Sequence, residues 1–355
     1  MLEIDSIIKE ALDNDMFSGV TVEVGMYDTT LYSSSFGYIN RDKRQLVDKN
    51  TLFDMASVTK IFTMTSILKL ITEKKISLDS KVVDFLEDLS PYLKEFLKDL
   101  LIKDLLTHGS GLHYWYPFYT SKEKGFTEVL EEVLKKNCEK KAGTYSDLNF
   151  ILLGKIISKV TDLQLDKAVE KLILHPMEMR KTSYKPNTNK NVASTEYGNQ
   201  IESNMVSELG LKFDNFRNPS NPITGQVNDG NAYYYFDGVS GHAGIFSTID
   251  DMRKIPRLYL SEGKHKGKQF IDLDLIEKSK ENHGYDRGLG WALKGIFLDG
   301  YGHTGFTGTS IFVEDSLGIY IIILSNRLNV ENPVNINDFR MKIHQEVVKK
   351  LKEEK

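Results

Sequence analysis

Residues 53–60 read Phe-Asp-Met-Ala-Ser-Val-Thr-Lys, and they open the segment on which the fold and site predictions both depend. From Val58 to about Glu73 apolar residues recur at helical spacing, which predicts a helix with one apolar face made of Ile61, Met64, Leu68 and Ile71. Because residues i and i+3 share a helical face, Nζ of Lys60 can approach Oγ of Ser57. A serine becomes a nucleophile when a neighbouring group takes its proton, and free N–H groups at a helix start can bind an oxyanion.

The Ser-x-x-Lys spacing alone does not identify a catalytic pair. The same spacing occurs four more times, at Ser6/Lys9, Ser66/Lys69, Ser121/Lys124 and Ser261/Lys264. On this spacing alone, the preferred interpretation is Ser57 as an N-cap, with Lys60 as a solvated helix charge. The choice between these interpretations depends on the rest of the chain.

Strand patterns lie near both ends of the chain, and helical patterns lie between them. A helix over residues 1–15 is followed by alternating segments at 20–26 and 30–38, with a turn at Asp28-Thr29. Near the other end, residues 311–313 and 319–324 predict an antiparallel hairpin, and a final helix follows. Residues 80–180 are mainly helical in pattern, whereas 185–240 are polar and Asn-rich, which predicts long ordered loops.

The simplest packing of these elements predicts an α+β fold. An antiparallel sheet built from both chain ends would be flanked by the N- and C-terminal helices, with a mainly helical lobe inserted in the middle. The predicted units are residues 1–80 with 240–355 for the sheet, and 81–239 for the lobe. A ligand cleft is expected between them.

Composition excludes several classes of protein. The chain has 355 residues, 40% of them hydrophobic, and a net charge of −4 from 46 basic and 50 acidic residues. That balance gives no electrostatic footprint for nucleic acid. The one cysteine, Cys138, excludes an intramolecular disulfide and a cysteine zinc site. The histidines are scattered and form no His-Glu-x-x-His pattern, which argues against a metal site. The absence of Gly-x-Gly-x-x-Gly and Walker patterns argues against nucleotide cofactors. The absence of Gly-x-Ser-x-Gly argues against an α/β-hydrolase.

Targeting and partners are predicted only in outline. The N-terminal segment is amphipathic, unlike a leader, and no apolar run reaches the length of a membrane span. We therefore expect a cytoplasmic protein as written, and an extracytoplasmic one only if a leader has been removed. The expected partner is a small-molecule or peptide substrate, and the oligomeric state leaves no pattern in the sequence.

Further segments place Ser57 in a wider pattern. Residues 143–150 read GTYSDLNF and precede a helical pattern, and residues 301–306 read YGHTGF and precede the C-terminal hairpin. The remaining segments are 53–56 (FDMA), 105–112 (LLTHGSGL), 241–248 (GHAGIFST), 288–291 (GLGW) and 324–327 (LSNR). Taken together in chain order, these segments resemble the serine β-lactamase and penicillin-binding-protein superfamily. The resemblance is to its class C-like side, which includes D-alanyl-D-alanine carboxypeptidases, D-aminopeptidases and esterases. The resemblance implies a β-lactamase/transpeptidase-like fold.

The resemblance also implies roles for individual residues. Ser57 would be the acylated nucleophile, Lys60 its partner, and Tyr145 the general base and then acid. The backbone N–H groups of Ser57 and Phe306 would form the oxyanion hole. Substrate would contact Asp147 and the strand residues His303, Thr304 and Gly305. No metal and no cofactor is implied.

Two positions depart from the family pattern. Asp147 stands where Asn is common, and His303 stands where lactamases have Lys. Asp147 would keep Lys60 as an ammonium, and a neutral His303 removes a cation, so the charge of the site is expected to fall by about two. Carboxylate-bearing lactams would then bind less well, which favours peptidase, amidase or esterase chemistry. The sequence thus predicts a serine hydrolase acting on a D-alanyl-type peptide, amide or ester; the alternative is a noncatalytic or slowly turning over sensor of peptidoglycan or β-lactams on the same fold.

Several other residues have open interpretations. His108 and His242 lie in family-like segments and are expected mainly to hold loops beneath the cleft. Asp229 lies in a turn that hints at a cleft rim. The aromatic residues between 114 and 119 fit a substrate wall and a core cluster equally well.

Overall fold

The computed structural model describes residues 3–136, 143–187 and 190–353, so Cys138 lies outside the described residues. The helices are α1 Ile4–Asp13, α2 Thr59–Thr72, α3 Pro91–Leu97, α4 Ile102–Leu106, α5 Phe126–Lys136, α6 Asp147–Thr161, α7 Leu165–Val169, α8 Gln200–Glu208, α9 Ile249–Met252, α10 Lys254–Leu260, α11 Leu273–Lys280 and α12 Asn337–Glu353. The strands are β1 Gly19–Met26, β2 Thr29–Gly37, β3 Phe53–Asp54, β4 Ser183–Tyr184, β5 Ile245–Ser247, β6 Lys264–His265, β7 Lys268–Gln269, β8 Ala292–Leu293, β9 Tyr301–Thr304, β10 Ser310–Glu314 and β11 Ile319–Ser325.

The main sheet joins the two ends of the chain. Its strand order is β2-β1-β11-β10-β9-β8, and every neighbouring pair is antiparallel. The register of β1 on β11 places Val20 opposite Ser325 and Met26 opposite Ile319. This pairing confirms the α+β fold class and the antiparallel sheet predicted from the terminal strand patterns.

Helices cover both faces of this sheet. On one face α1 and α12 bury an apolar cluster that includes Ile8, Val22, Phe312 and Ile343. On the other face β1 also buries Glu23, whose carboxylate accepts hydrogen bonds from Arg253 at 2.6 Å and from Oη of Tyr320 at 3.0 Å. The alternation in β1 therefore marks two buried faces, one apolar and one polar.

A small second sheet positions the segment quoted first. Its order is β3-β5-β4, with Phe53 opposite Ser247 and Ser183 opposite Phe246. The chain leaves β3 through a short 3₁₀ turn, Ala56–Val58, and enters α2 at Thr59. Ser57 is thus fixed between a paired strand and a helix whose residues Thr59–Leu68 are all buried.

The helical lobe and the loops agree with the sequence patterns except at two segments, α8 and the π-helical turn Asn231–Tyr235. The helix predicted from Val58 to about Glu73 is α2, and the mainly helical middle is α3 to α7. Residues 200–208 form α8 inside the stretch predicted as loops, because its short, polar sequence lacks an apolar stripe. The predicted unit boundaries at 80 and 240 stay a prediction. Helices α2 and α6 fall in different predicted units, yet both contribute to one continuous core cluster. Within the described ranges, every helix is too short or too polar to traverse a lipid bilayer.

Candidate active site

The turn that carries Ser57 is strained and held by a buried carboxylate. Ala56, directly before Ser57, has φ of 45°, which a residue with a side chain rarely adopts. Oδ1 of Asp54 accepts the N–H of Ala56 at 2.8 Å, and Oδ2 accepts the N–H of Asn228 at 2.7 Å. Burial raises the pKa of Asp54 to about 6, although both hydrogen bonds oppose this. Asp54 therefore holds the turn in the conformation that presents Ser57.

Lys60 lies one helical turn after Ser57 and is fully buried. Its ammonium meets Oγ of Ser57 at 2.9 Å, Oδ1 of Asp147 at 2.8 Å and the carbonyl oxygen of His242 at 3.2 Å. Burial alone lowers the pKa of Lys60, but the Asp147 carboxylate and the Tyr145 phenol outweigh it and raise the pKa above its ordinary value. The ammonium is thus surrounded by oxygens of Ser57, Asp147, His242 and Tyr145, and Lys60 is held in its charged form.

Tyr145 lies just before α6 and faces the same serine. Its hydroxyl forms hydrogen bonds with the side chains of Ser57 and Lys60, and its ring centroid lies 5.0 Å from Nζ of Lys60. Burial raises the pKa of Tyr145, and the charge of Lys60 offsets this only in part. The phenol is therefore neutral at rest.

His108 holds the backbone next to Tyr145 in place. Its Nδ1 accepts the N–H of Ser146 at 3.0 Å and lies 3.1 Å from Nδ2 of Asn149, and its ring centroid is 4.6 Å from that of Tyr145. Burial holds the pKa of His108 well below its ordinary value, so the ring is neutral and Nδ1 is free to accept. His108 is 2% exposed, in agreement with the structural role expected for it.

The end of β9 approaches the serine turn from the opposite side. A Cβ on Gly305 would lie 2.6 Å from the carbonyl oxygen of Met55, so only glycine allows this approach. Among the described residues, no acceptor is found for the backbone N–H of Ser57 or of Phe306. Two unpaired donors close to the nucleophile are what an oxyanion hole requires.

His303 lies on β9 and is almost completely buried. Its Nδ1 lies 2.8 Å from the carbonyl oxygen of Thr304, and its ring centroid is 6.1 Å from that of Tyr145. Burial, together with the charge of Lys60, lowers the pKa of His303 to about 3. His303 is therefore neutral at physiological pH, as the sequence analysis assumed.

A cleft of about 640 Å³ brings most of the predicted site residues together. Its lining includes six of them, namely Ser57, Tyr145, His303, Thr304, Gly305 and Phe306. Lys60 and Asp147 do not line this cleft, and Lys60 contacts Ser57 from the protein interior. The structure thus gathers the predicted residues from three separate parts of the chain.

The same cleft holds three arginines that the sequence analysis did not single out: Arg287, Arg327 and Arg340. None of the three forms a salt bridge with a carboxylate of the described residues. Burial, with the neighbouring charge of Arg327, lowers the pKa of Arg340 to about 9. The charge change expected from Asp147 and His303 therefore leaves out three cations of the same cleft, because it counted only the positions of the motifs themselves.

Sequence signals for these arginines were weak. Arg287 directly precedes the segment 288–291 and Arg327 ends the segment 324–327, so both adjoin quoted motifs. Arg340 lies in the first turn of α12, where a basic residue usually faces solvent. In the fold its guanidinium donates to the carbonyl oxygens of Gly305 and Thr309 at 3.3 and 2.9 Å, and it therefore braces the end of β9.

The structure also places His242, Asp229 and the aromatic residues between 114 and 119. His242 and Asp229 are joined by a hydrogen bond of 2.9 Å between Nε2 and Oδ1, behind Lys60 as seen from the cleft. In the aromatic segment Tyr114 is 46% exposed, whereas Trp115, Tyr116, Phe118 and Tyr119 are buried and form core.

Three donor side chains could in principle hold a cation. Ligand atoms of Asp147, Asp229 and His242 all lie within 4.8 Å of one another. Sequence spacing gave no sign of this set, because its members come from separate loops. The ammonium of Lys60, 2.8 Å from Asp147, already supplies a positive charge at this place.

Comparison with known proteins agrees with this geometry. A family model described as Beta-lactamase matches residues 4–345. The chain is 31% identical over 327 residues to a protein of Salmonella agona named "Putative D-alanyl-D-alanine carboxypeptidase", covering 83% of this chain and 74% of that protein. It is 29% identical over 303 residues to the "N-acetylmuramyl-L-alanine amidase" of Bacillus subtilis, covering 78% of this chain and 68% of that protein.

Solved structures share the fold. The octameric penicillin-binding protein homologue from Pyrococcus abyssi aligns with a TM-score of 0.72 at 21% identity, covering 98% of this chain and 77% of that one. EstCE1, a hydrolase with promiscuous acyltransferase activity, aligns with a TM-score of 0.70 at 17% identity, covering 97% of each chain. At these identities the likeness concerns the fold alone.

Proposed function

Because this chain belongs to the Beta-lactamase family, we propose that it is a serine hydrolase that forms an acyl-enzyme on Ser57. Its substrate is a D-alanyl-type peptide, or a related amide or ester, that carries a carboxylate. The observation that carries this proposal is the contact of 2.9 Å between Oγ of Ser57 and Nζ of Lys60, beside Tyr145 in a cleft lined by three arginines that form no salt bridge within the described residues.

Acylation is a proton relay through a neutral tyrosine. Oγ of Ser57 attacks the substrate carbonyl carbon, and its proton passes to Oη of Tyr145 while Tyr145 gives its own proton to the leaving nitrogen or oxygen. The C–O bond to Ser57 forms, the bond to the leaving group breaks, and Tyr145 ends neutral. The ammonium of Lys60 stabilises the negative charge that develops on Ser57 and Tyr145.

Deacylation uses the same groups in reverse. Water attacks the acyl carbon and passes a proton to Tyr145, which returns one to Oγ of Ser57. The free N–H groups of Ser57 and Phe306 are the donors for the oxyanion in both steps. His303 and Thr304 provide the strand beside which the substrate lies.

The arginines favour a substrate with a free carboxylate. Arg287, Arg327 and Arg340 line the cleft, and no carboxylate in the described part of the chain pairs with them, although Arg327 and Arg340 donate to backbone carbonyl oxygens. Guanidinium groups bind carboxylates through charge-assisted hydrogen bonds. A peptide ending in D-alanine has this group next to its scissile bond. The names of the Salmonella and Bacillus relatives, a carboxypeptidase and an amidase, also favour amide cleavage over lactam cleavage.

A second candidate is a protein that is acylated but turns over slowly. It is favoured by one observation: burial raises the pKa of Tyr145, and Lys60 stays charged, so no strong base is present at rest. Such a protein would capture a peptidoglycan-like or β-lactam ligand and release it slowly.

The test is covalent labelling followed by a substrate panel. Wild type, Ser57→Ala and the control Ser261→Ala, which removes a serine with the same Ser-x-x-Lys spacing, are incubated with a fluorophosphonate and a fluorescent penicillin, and intact masses are measured. We expect one adduct on wild type and on Ser261→Ala, and none on Ser57→Ala. No adduct on wild type from either probe would end the hydrolase proposal.

Turnover then separates the two candidates and ranks the substrates. The panel contains a D-Ala-D-Ala peptide with a free carboxylate, the same peptide as its C-terminal amide, a D-amino-acid amide, a p-nitrophenyl ester and nitrocefin. We expect the free-acid peptide to be cleaved faster than its amide. An adduct that forms and persists, with no cleavage of any substrate, would replace the hydrolase by the sensor.

A further inference from the structure

We propose that Asp229 and His242 form a positioning pair that holds the ammonium of Lys60 against Ser57 without touching the substrate. The proposal rests on the proposed function for its catalytic readout, because it assigns a task within the same site. Neither residue lines the cleft that contains Ser57. Their action must therefore pass through Lys60.

His242 is locked at both ring nitrogens. Its Nε2 lies 2.9 Å from Oδ1 of Asp229, its Nδ1 lies 2.8 Å from Oγ of Ser240, and its side chain is 1% exposed. A ring with both nitrogens engaged has one orientation, and it fixes the backbone of the residue that carries it. The carbonyl oxygen of His242 is the acceptor that meets Nζ of Lys60 at 3.2 Å.

The segment around His242 is wedged between the two helices that supply the site. The carbonyl oxygen of Gly241 accepts a hydrogen bond from the hydroxyl of Thr63 on α2, with 2.7 Å between the two oxygens. On the other side a Cβ at position 241 would lie 2.0 Å from the carbonyl oxygen of Phe150 on α6. The segment therefore sets the spacing between α2, which carries Lys60, and α6, which begins at Asp147.

Asp229 anchors the pair from a loop tied to the nucleophile turn. Its Oδ1 also accepts the N–H of Ala232 at 2.7 Å, and its neighbour Asn228 donates to Asp54, which holds Ala56. Burial opposes ionisation of Asp229, but its contacts with His242 and the charge of Lys60 outweigh this and lower its pKa. The interaction with Lys60 is reciprocal, so the Asp229 carboxylate also favours the ammonium form of Lys60.

The carbonyl of His242 matters because it is the acceptor near Nζ of Lys60 that the pair positions. Ser57 accepts another hydrogen bond, Asp147 forms an ion pair, Tyr145 lies beside the same ammonium, and the side chain is fully buried. If the carbonyl of His242 moved away, the ammonium would lose this buried hydrogen bond and turn from Ser57 toward Asp147 and Tyr145. Either change lowers the rate at which Ser57 reacts.

The test compares five variants with wild type: Asp229→Ala, Asp229→Asn, His242→Ala, the double alanine variant, and the control Asp237→Ala. Asp237 is a 97% exposed carboxylate in the same stretch of chain, paired with Lys185. The readouts are the rate of Ser57 labelling by a fluorophosphonate, kcat and KM, the melting temperature, and the NMR titration of the Lys60 side chain in ¹³C,¹⁵N-lysine protein.

We expect Asp229→Ala and His242→Ala each to slow labelling about 10- to 100-fold with KM changed less than about twofold. The double variant should resemble the singles, because the two residues act as one unit. Asp229→Asn keeps an oxygen acceptor for His242 and should recover labelling to within about threefold of wild type, and Asp237→Ala should equal wild type. In Asp229→Ala the titration midpoint of Lys60 should move to lower pH.

Two results would overturn the proposed role of the pair. One is labelling of both alanine variants at a rate within about twofold of wild type. The other is a titration midpoint of Lys60 in folded Asp229→Ala that stays within about 0.2 pH units of the wild-type value. An Asp229→Asn variant as slow as Asp229→Ala would also overturn positioning and leave charge as the cause. The melting temperature of Asp229→Asn shows that the comparison is made on folded protein. If wild type itself is neither labelled nor active, the proposed function fails, while the Lys60 titration still decides on the pair.

Discussion

The carboxylate of Asp147, the first residue of α6, lies 2.8 Å from Nζ of Lys60 on α2, where the family pattern commonly has the neutral Asn. The lysine beside the nucleophile therefore has a fixed anionic partner. This ion pair decides how the site responds to pH, since it is the largest influence that favours the charged form of Lys60.

We expect Asp147→Asn to lower the pKa of Lys60, because burial then acts on the ammonium without the opposing carboxylate. If the charged Lys60 stabilises the developing negative charge, activity is lost when Lys60 deprotonates, so the alkaline limb of the kcat/KM profile should move to lower pH by about one unit or more. The control is Asp274→Asn, which changes an exposed carboxylate in the first turn of α11. A shift of the acid limb alone would identify Lys60 as the base and contradict the relay through Tyr145.

We expect Arg287→Ala to weaken binding of substrates that carry a carboxylate. Arg287 lines the cleft with its guanidinium carbon 5.6 Å from the ring centroid of Tyr145, and it forms no salt bridge within the described part of the chain. KM for a free-acid peptide should rise about 10- to 100-fold, and KM for the same peptide as its amide should change little. Equal effects on both peptides would show that Arg287 acts on Tyr145 and not on the carboxylate.

We expect Gly305→Ala to disturb both stability and activity. The added Cβ would lie 2.1 Å from Oγ1 of Thr309 and 2.6 Å from the carbonyl oxygen of Met55, so β9 must move away from the serine turn. The free energy of unfolding should fall by about 1–3 kcal/mol, and Ser57 labelling should slow. Urea unfolding measures the first effect. Gly125→Ala is the matched control, because there the nearest atom, Oε2 of Glu128, is at an ordinary 3.4 Å.

We expect His303 to make the protein less stable at mildly acidic pH. Its pKa of about 3 in the folded state lies below its unfolded value of about 6.5, so the unfolded state binds the proton first. The stability it contributes is complete above pH 6.5 and declines as the pH falls toward 3, which amounts to about 1–2 kcal/mol by pH 5. His303→Gln should remove this part of the loss between pH 7.5 and 5 in urea unfolding. An equal loss in wild type and variant would mean that His303 is protonated in the folded protein.

The elements that carry local patterns could be predicted from the sequence. The helix after Ser57, the terminal hairpins and the final helix each show a period of two or 3.6, and the structure has them as α2, β1–β2, β10–β11 and α12. The short polar helix α8 shows no such period, because it is held by loop contacts and not by an apolar stripe. The alternation at 20–26 does not reveal that Glu23 is buried, since its partner Arg253 comes from the distant end of α9.

The candidate site could likewise be predicted from the sequence only in part. Ser57, Lys60, Tyr145 and His303 were identified because motifs of fixed spacing surround them, whereas Arg287, Arg327 and Arg340 were missed because no local pattern distinguishes a cleft arginine from a surface one. The expected charge change consequently rested on two motif positions and left these arginines out. Asp229 and His242 were placed only as turn and loop residues, since their contact joins segments that lie 13 residues apart.

The sequence by itself determined the order of elements, the family-like motifs and the candidate nucleophile, because each of these is written in neighbouring residues. Only the tertiary structure decided what surrounds Ser57: the oxygens around the ammonium of Lys60, the neutral state of Tyr145 and the three arginines of the cleft. The physical reason is that charge and desolvation depend on distance in space. Ser57, Asp147, His242 and Arg287 are distant in the chain and act on one another only after the sheet has joined its two ends.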